Sequence, residues 1–448
     1  MAEEQKIKTV FITSFFGLIG RNILATNTLK ALRNHQDLRI VILTAENKQV
    51  QYQKIFGGGN VIVEGVKVLP ENWIDGIARV FFNNFSDTAA WRIHRLISRK
   101  QGRWFLAPIY WLVSKLGHWY FVRKLARWVD FYFLSHHRYA DYFYKYRPSL
   151  FFATDVFHPV DVDFIKTAKL LKVRTLGMVR SWDNITTKGL NRVVVDRLVV
   201  NTKNIQDEAV QYNDYSLDDV AIVGVPHYDD YVVARRNSRE EVLKKLGLDF
   251  RKKTIFFAPP SDIYSENNPI SIQVIRALSK LDGVQLLIRL YIVGKASLGD
   301  LQPIPGRIAI DDPGSSDSFT DVDLTAGDSH LADLLYHSDV VVSFASTLAV
   351  DAVVFNRPVV FIGFDGDSRA YWKSLRRFYD YDHQQNILKT GGVKLAKNIE
   401  ELVGDVKKYL DNPSLDEAGR KKIIEERCWK LDGKSGERLA NIILDNLE

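Results

Sequence analysis

"SDVVVSFASTLAVDAVVFNRPVVFI", Ser338 to Ile362, decides how this chain folds. An apolar, β-branched run at 339–343 leads into the hydroxyl-rich turn "SFAST". A helical segment opens near Leu348. After "NRP" a second apolar run, 358–363, follows at once. Strand, helix and strand in close succession predict a parallel α/β arrangement.

The same alternation extends outward from this segment. Buried-strand runs are expected at 8–14, 38–44, 61–68, 149–154, 173–179 and 194–200, then at 220–224, 253–258, 284–290 and 307–310. Most are separated by helix-length segments, so the fold class is α/β with parallel sheets. With 339–343 and 358–363 the runs number twelve, too many for one ordinary open sheet, and two Rossmann-like domains follow. The boundary falls in 226–252, giving an N-terminal domain at 1–232 and a C-terminal domain at 253–412. Residues 413–448 read as helices that cross back to the first domain. The acidic, Gly- and Ser-rich stretch 311–328 reads as a loop.

Composition narrows the class. The chain has 448 residues and a net charge of +7. Its single cysteine, Cys428, excludes an internal disulfide and a cysteine zinc site. The charged start "MAEEQKIK" is no signal peptide, and no apolar run reaches bilayer-spanning length, so a cytoplasmic location is expected. Charge is concentrated in one window. Residues 91–150 hold 12 Lys/Arg against 2 Asp, together with five of the nine Trp. Trp104, Trp111, Trp119 and Trp128 recur among basic residues at helical spacing. Such a pattern suits a helical insertion facing an anionic membrane surface. A structural helix with a solvated basic face is the plainer alternative. Nucleic acid is not expected as a partner, because no nucleic-acid motif accompanies the window.

The opening segment also offers chemistry. Ser343, Ser346 and Thr347 stand before a helix, where free backbone N–H groups favour phosphate. Asp351 follows in the first turn, at a spacing suited to ribose hydroxyls. Plain helix capping would explain the same residues.

Ser338–Ile362 resembles the donor-binding signature of GT-B glycosyltransferases. It is most similar to the branch that holds CDP-glycerol glycerophosphotransferases and UDP-N-acetylglucosamine 2-epimerases. The segment Asp196–Tyr231, which ends "GVPHYDDY", also resembles that family where its N-terminal domain closes. The resemblance spans roughly 150–390. It implies two Rossmann-like domains facing across a cleft, a nucleotide donor held by the C-terminal domain, and no required metal or cofactor. Two departures stand out. Asp351 replaces the usual Glu. Arg289 keeps its place in an Arg-x-His-Pro turn, but Tyr291 and Ile292 replace His and Pro.

Within that frame the donor-binding candidates are Arg289, Ser343, Ser346, Thr347, Asp351, Ser261 in "FAPPSD", and His330. Arg289 can pair bidentately with a diphosphate. His330 has helix capping as its alternative. The catalytic candidates follow strand ends in the first half: Asp183 first, then His158 and Asp155. Any of them can take the proton of an acceptor hydroxyl. Trp182 and Asn184 lie in the same "RSWDN" turn, where an indole can stack on a sugar face.

The first loop, "TVFITSFFGLIGRNIL" (Thr9–Leu24), invites a different reading. It looks like a dinucleotide fingerprint, but Ser14 stands where the first glycine belongs. We therefore expect Gly17, Gly20 and Arg21 to line the acceptor side. The expected activity is metal-independent transfer of a sugar from a nucleotide-diphosphate sugar to a lipid-linked or surface-glycan acceptor, on the inner membrane face. A sugar-nucleotide epimerase, a CDP-glycerol-type phosphotransferase and, further off, an NAD(P)-dependent reductase are the alternatives.

Overall fold

The structure, a computed structural model, describes residues 7–134, 138–264, 266–293, 296, 298–314 and 328–447. Two compact units emerge, residues 1–232 with 428–448, and residues 233–427.

The first unit is built on seven parallel strands: β1 (Lys8–Ser14), β2 (Leu38–Ala45), β3 (Val61–Val66), β4 (Leu150–Ala153), β5 (Arg174–Met178), β6 (Arg197–Val200) and β7 (Val220–Ile222). Their order is β3-β2-β1-β4-β5-β6-β7. Val10, Phe11, Ile40, Val41, Phe151, Phe152 and Leu198 are fully buried, as strands covered on both faces must be. Between β3 and β4 lie the helices Trp73–Asn84, Ala89–Lys100, Ala107–Leu116, Tyr120–Phe133 and Ala140–Tyr146. The basic aromatic window is thus mostly helical. The C-terminal helix Ser435–Asp445 packs on the helix Asn27–Arg33. Asp229 fixes its start by accepting from the N–H of Ser435 (3.0 Å) and of Gly436 (2.7 Å). A Cβ on Gly436 would lie 2.9 Å from the Thr28 nitrogen, so this approach requires glycine.

The second unit holds six parallel strands: β8 (Lys253–Ala258), β9 (Val284–Arg289), β10 (Ile308–Asp311), β11 (Val340–Ser343), β12 (Val359–Ile362) and β13 (Val393–Ala396). Their order is β10-β9-β8-β11-β12-β13. The segment Ser338–Ile362 forms β11, the helix Leu348–Val354 and β12, with Val341 paired to Val359. The helix Glu417–Arg427 packs within this unit against Leu348–Val354. One strand, β13, escapes the sequence reading. The loop expected at 311–328 is corrected at its ends. Asp311 closes β10 and Asp328 opens the helix Asp328–Tyr336. Residues 315–327 lie outside the described residues.

Candidate functional site

Each sheet reverses its winding direction once. In the first unit the reversal lies between β1 and β4, in the second between β8 and β11. Loops leaving the carboxyl ends of strands diverge at such a point and open a crevice for ligands. Most candidate residues follow the strands that flank these two points.

In the first unit, Thr13 at the end of β1 accepts from the Thr154 N–H (2.9 Å) and lies 3.2 Å from the Thr154 hydroxyl. This clamp sets the loop after β4. In the next residue, the Asp155 carboxylate accepts from the Phe157 N–H (3.0 Å) and from Arg180 Nε (2.9 Å). Arg180 comes from the loop after β5, and its guanidinium lies 3.7 Å from the centre of the Phe16 ring. His158 caps the helix Pro159–Leu170 and stacks parallel to Phe15, with ring centres 6.2 Å apart. Its Nδ1 lies 3.1 Å from the carboxylate of Asp161, one helical turn on. Thr13 donates to the other oxygen of Asp161. Burial alone would lower the His158 pKa, but the Asp161 and Asp155 carboxylates outweigh it and hold it above the ordinary value. Burial raises the Asp161 pKa, against the pull of His158 and Thr13.

Asp183 opens the short helix Asn184–Lys188, and its carbonyl accepts from the Thr187 N–H (3.0 Å) and hydroxyl (2.8 Å). Asn184 is buried and accepts from the Ser181 N–H (2.8 Å), which shapes the turn. Trp182 is only 8% exposed. Little of its surface faces solvent. Gly17 lies in a short helical turn, and Gly20 begins a π-helical turn, Gly20–Leu24, with ordinary right-handed backbone. Ser14 is buried 3.1 Å from the Tyr52 hydroxyl, so no phosphate-binding glycine turn forms there. Arg21 lies in the π-helical turn, and its charge reaches His227, after β7. Burial first, and then Arg21, push the His227 imidazole down to about 3, which keeps it neutral.

In the second unit, Arg289 ends β9 and Asp311 ends β10, paired in register. Arg289 forms an ion pair with Asp311, and His330 Nε2 lies 2.9 Å from the other Asp311 oxygen. Burial would raise the Asp311 pKa, yet His330 and Arg289 together hold it below the usual carboxylate value. Ser343 ends β11 opposite Ala258 of β8 and is fully buried. Ser346 accepts from the Leu348 N–H (3.1 Å), and Thr347 is the N-cap residue, with Asp351 in the first turn. Ser261 is buried and donates to the Val293 carbonyl (3.1 Å), which commits its hydroxyl to the loop.

Sequence reasoning missed Asp161, Thr13, Asp311 and His227 as partners. It also missed an aromatic group made of Tyr264, Tyr291, Phe344 and Phe378. Phe344 and Phe378 have ring centres 5.1 Å apart, and Tyr264 lies 6.1 Å from Tyr291. Tyr291, one of the two departures in the Arg-x-His-Pro turn, is part of this group.

These features define a GT-B α/β protein with two Rossmann-like domains. Similarity in fold agrees. UDP-GlcNAc 2-epimerase from Methanocaldococcus jannaschii aligns with a TM-score of 0.52 at 11% identity, covering 98% of this chain and 99% of that one. The S. aureus MnaA–UDP structure aligns at 0.53 and 14% identity, covering 98% of each chain. The glycotransferase of kitacinnamycin aligns at 0.54 and 12%, covering 99% of this chain and 100% of that one. The profile of the CDP-Glycerol:Poly(glycerophosphate) glycerophosphotransferase family matches residues 174–445, more than half of the sequence. The chain belongs to that family. The teichoic acid glycerol-phosphate primase of Bacillus spizizenii (strain ATCC 23059 / NRRL B-14472 / W23) is 29% identical over 186 residues. That alignment covers 41% of this chain and 44% of the primase, so the chain matches less than half of its relative.

Proposed function

We propose that this chain transfers a glycerol phosphate from a CDP-activated donor to a hydroxyl of a cell-envelope polymer or its lipid-linked precursor, at the inner face of the membrane. The observation that carries this reading is the family match over 174–445, which includes both the Arg180–Asn184 turn and the Ser343–Asp351 turn. The similarity to a glycerol-phosphate primase supports it.

In this reaction the acceptor oxygen attacks the phosphorus of the glycerol phosphate. A new O–P bond forms, the P–O bond of the diphosphate breaks, and CMP leaves with its electrons. The hydroxyl proton passes to a base. His158 suits that role best: the Asp161 carboxylate lies 3.1 Å from Nδ1, which leaves Nε2 for the acceptor. Asp155 is committed to Arg180, so it positions rather than accepts. Asp183 is the second candidate. Arg289 would neutralise charge on the departing nucleotide, and Ser346 and Thr347 are the further donor-side candidates. Neither a metal nor a cofactor enters this mechanism.

A second reading is transfer of a sugar from a nucleotide-diphosphate sugar. Tyr291 and Ile292, in place of His and Pro, favour it. There the anomeric C–O bond breaks and a nucleoside diphosphate leaves. One experiment separates the two. The chain is incubated with CDP-glycerol and with UDP-, GDP- and ADP-sugars, together with a cell-envelope acceptor extract, and the released nucleotide is identified. CMP supports the first reading and a nucleoside diphosphate the second. Conversion of one sugar nucleotide to its epimer, with no acceptor, would overturn both.

A further inference from the structure

The helix Tyr120–Phe133 is inside out. Arg123, Arg127 and Asp130, spaced at i, i+4 and i+7, face the protein. Arg127 reaches the Asp214 carboxylate at 2.6 Å and Asn191 Oδ1 at 2.8 Å. Arg123 Nε donates to Asp214 at 3.1 Å. Asp130 is buried against Arg192 (3.2 Å) and Lys166 (2.7 Å). The opposite face carries Phe121, Leu125, Trp128, Val129, Tyr132 and Phe133, all exposed, with Phe121 at 62% and Phe133 at 68%. A helix on a water-soluble surface has the reverse polarity.

The neighbouring helix, Ala107–Leu116, shares this face. Val113 packs inward with Phe82, Phe85 and Leu190, and Val122 and Ala126 of the inside-out helix pack on the same cluster. Trp111, Leu112 and Leu116 then point outward, with Trp119 at the turn between the helices. Exposed Arg99, Lys100, Arg103, Lys115 and Lys124 accompany these aromatic residues.

We propose that this face seats in the interfacial layer of an anionic lipid bilayer, with both helices lying in its plane. Trp and Tyr favour the depth of the headgroups, and Lys and Arg pair with anionic lipid. The surplus of basic residues in this window repels a second copy of the same face but complements such a surface. Fourteen residues of helix reach only about 21 Å, short of the roughly 30 Å of hydrocarbon. Among the described residues no helix is long and apolar enough to cross a membrane, which leaves the in-plane arrangement.

The test is co-sedimentation of the full chain with vesicles of phosphatidylglycerol and phosphatidylcholine, and with phosphatidylcholine alone. Brominated acyl chains would read tryptophan depth. Strong binding to the anionic vesicles, weakened by salt and with quenched fluorescence, is expected. The triple variant Phe121→Ser/Leu125→Ser/Phe133→Ser should lose binding about tenfold or more with an unchanged melting temperature, since its side chains touch no core. Lys115→Glu/Lys124→Glu should lose the preference for anionic lipid. A chain that ignores both vesicles overturns the proposal. So does a dimer, seen by sedimentation, that the triple variant dissociates. Binding is read without turnover, so its failure is distinct from failure of the transfer reaction.

Discussion

His158 Nδ1 lies 3.1 Å from the carboxylate of Asp161, and Thr13 holds that carboxylate from the opposite side. A buried acid behind an imidazole does two things. It fixes the ring's tautomer and orientation, and it raises the pKa of the ring as a base.

The first prediction concerns that pair. The neutral imidazole is the active form of a base, so the rate should rise with pH through the His158 pKa. In Asp161→Asn the larger of the two raising influences is gone, while Asp155 and burial remain, so the acidic limb of kcat/KM should move to lower pH. The plateau should fall as well, because a weaker base remains. His158→Ala should cost on the order of 10²–10⁴ in kcat. A pH–rate profile for the three proteins checks this. An unmoved acidic limb in Asp161→Asn would assign the base elsewhere, with Asp183 next.

Arg180 supplies the second. It is the partner of the buried Asp155 carboxylate. Arg180→Ala should therefore destabilise the first unit by about 3 kcal/mol, because it leaves that charge unpaired. Asp155→Asn in the same chain should recover much of the loss. The two single variants and the double variant, followed by denaturant unfolding with a probe in the first unit, give the coupling directly. Simple additivity would mean that the two side chains do not act as a pair.

A third prediction tests the second unit. Arg289→Ala should weaken binding of a nucleoside diphosphate by about tenfold or more, in line with loss of one charge-assisted contact. Calorimetric titration of CDP and UDP provides the measurement. Equal affinity in the variant would confine Arg289 to its ion pair with Asp311.

The strands were legible because a strand buried on both faces must be written in consecutive apolar residues, as "VVV" at 340–342 and "VFI" at 10–12 are. β13 was not. It is an edge strand of four residues, "VKLA", whose Lys394 and Leu395 are only partly buried. Asp161 was invisible for another reason. Its partner Thr13 is 148 residues away in sequence, and only the adjacency of β1 and β4 brings them together. The helical spacing of Arg123, Arg127 and Asp130 could be seen, but not the side they take. That was fixed by Asp214, Asn191, Arg192 and Lys166, all at least 36 residues away from the partner they hold.

The last prediction concerns that buried charge. Lys166, Asp130, Arg192 and Asp75 form one chain of ion pairs, with Arg192 reaching Asp75 at 2.9 Å and Lys166 reaching Asp130 at 2.7 Å. Burial, and then the nearby Arg192, push the Lys166 pKa down, against the pull of Asp130. The ammonium is therefore less favoured in the folded chain than in the unfolded one. Between the folded pKa and the ordinary lysine value the unfolded chain binds more protons, so this group makes stability rise with pH. Lys166→Met should remove that contribution. The variant should gain stability relative to the parent at pH 7, and the gain should shrink as pH approaches 10. Asp130→Ala acts in the opposite sense. It strips two buried cations of their shared partner and should cost about 3–5 kcal/mol. Denaturant unfolding at both pH values, followed with a probe in the first unit, decides between these outcomes. A Lys166→Met variant that is strongly destabilised at pH 7 would show that the ammonium is worth more to Asp130 than its burial costs.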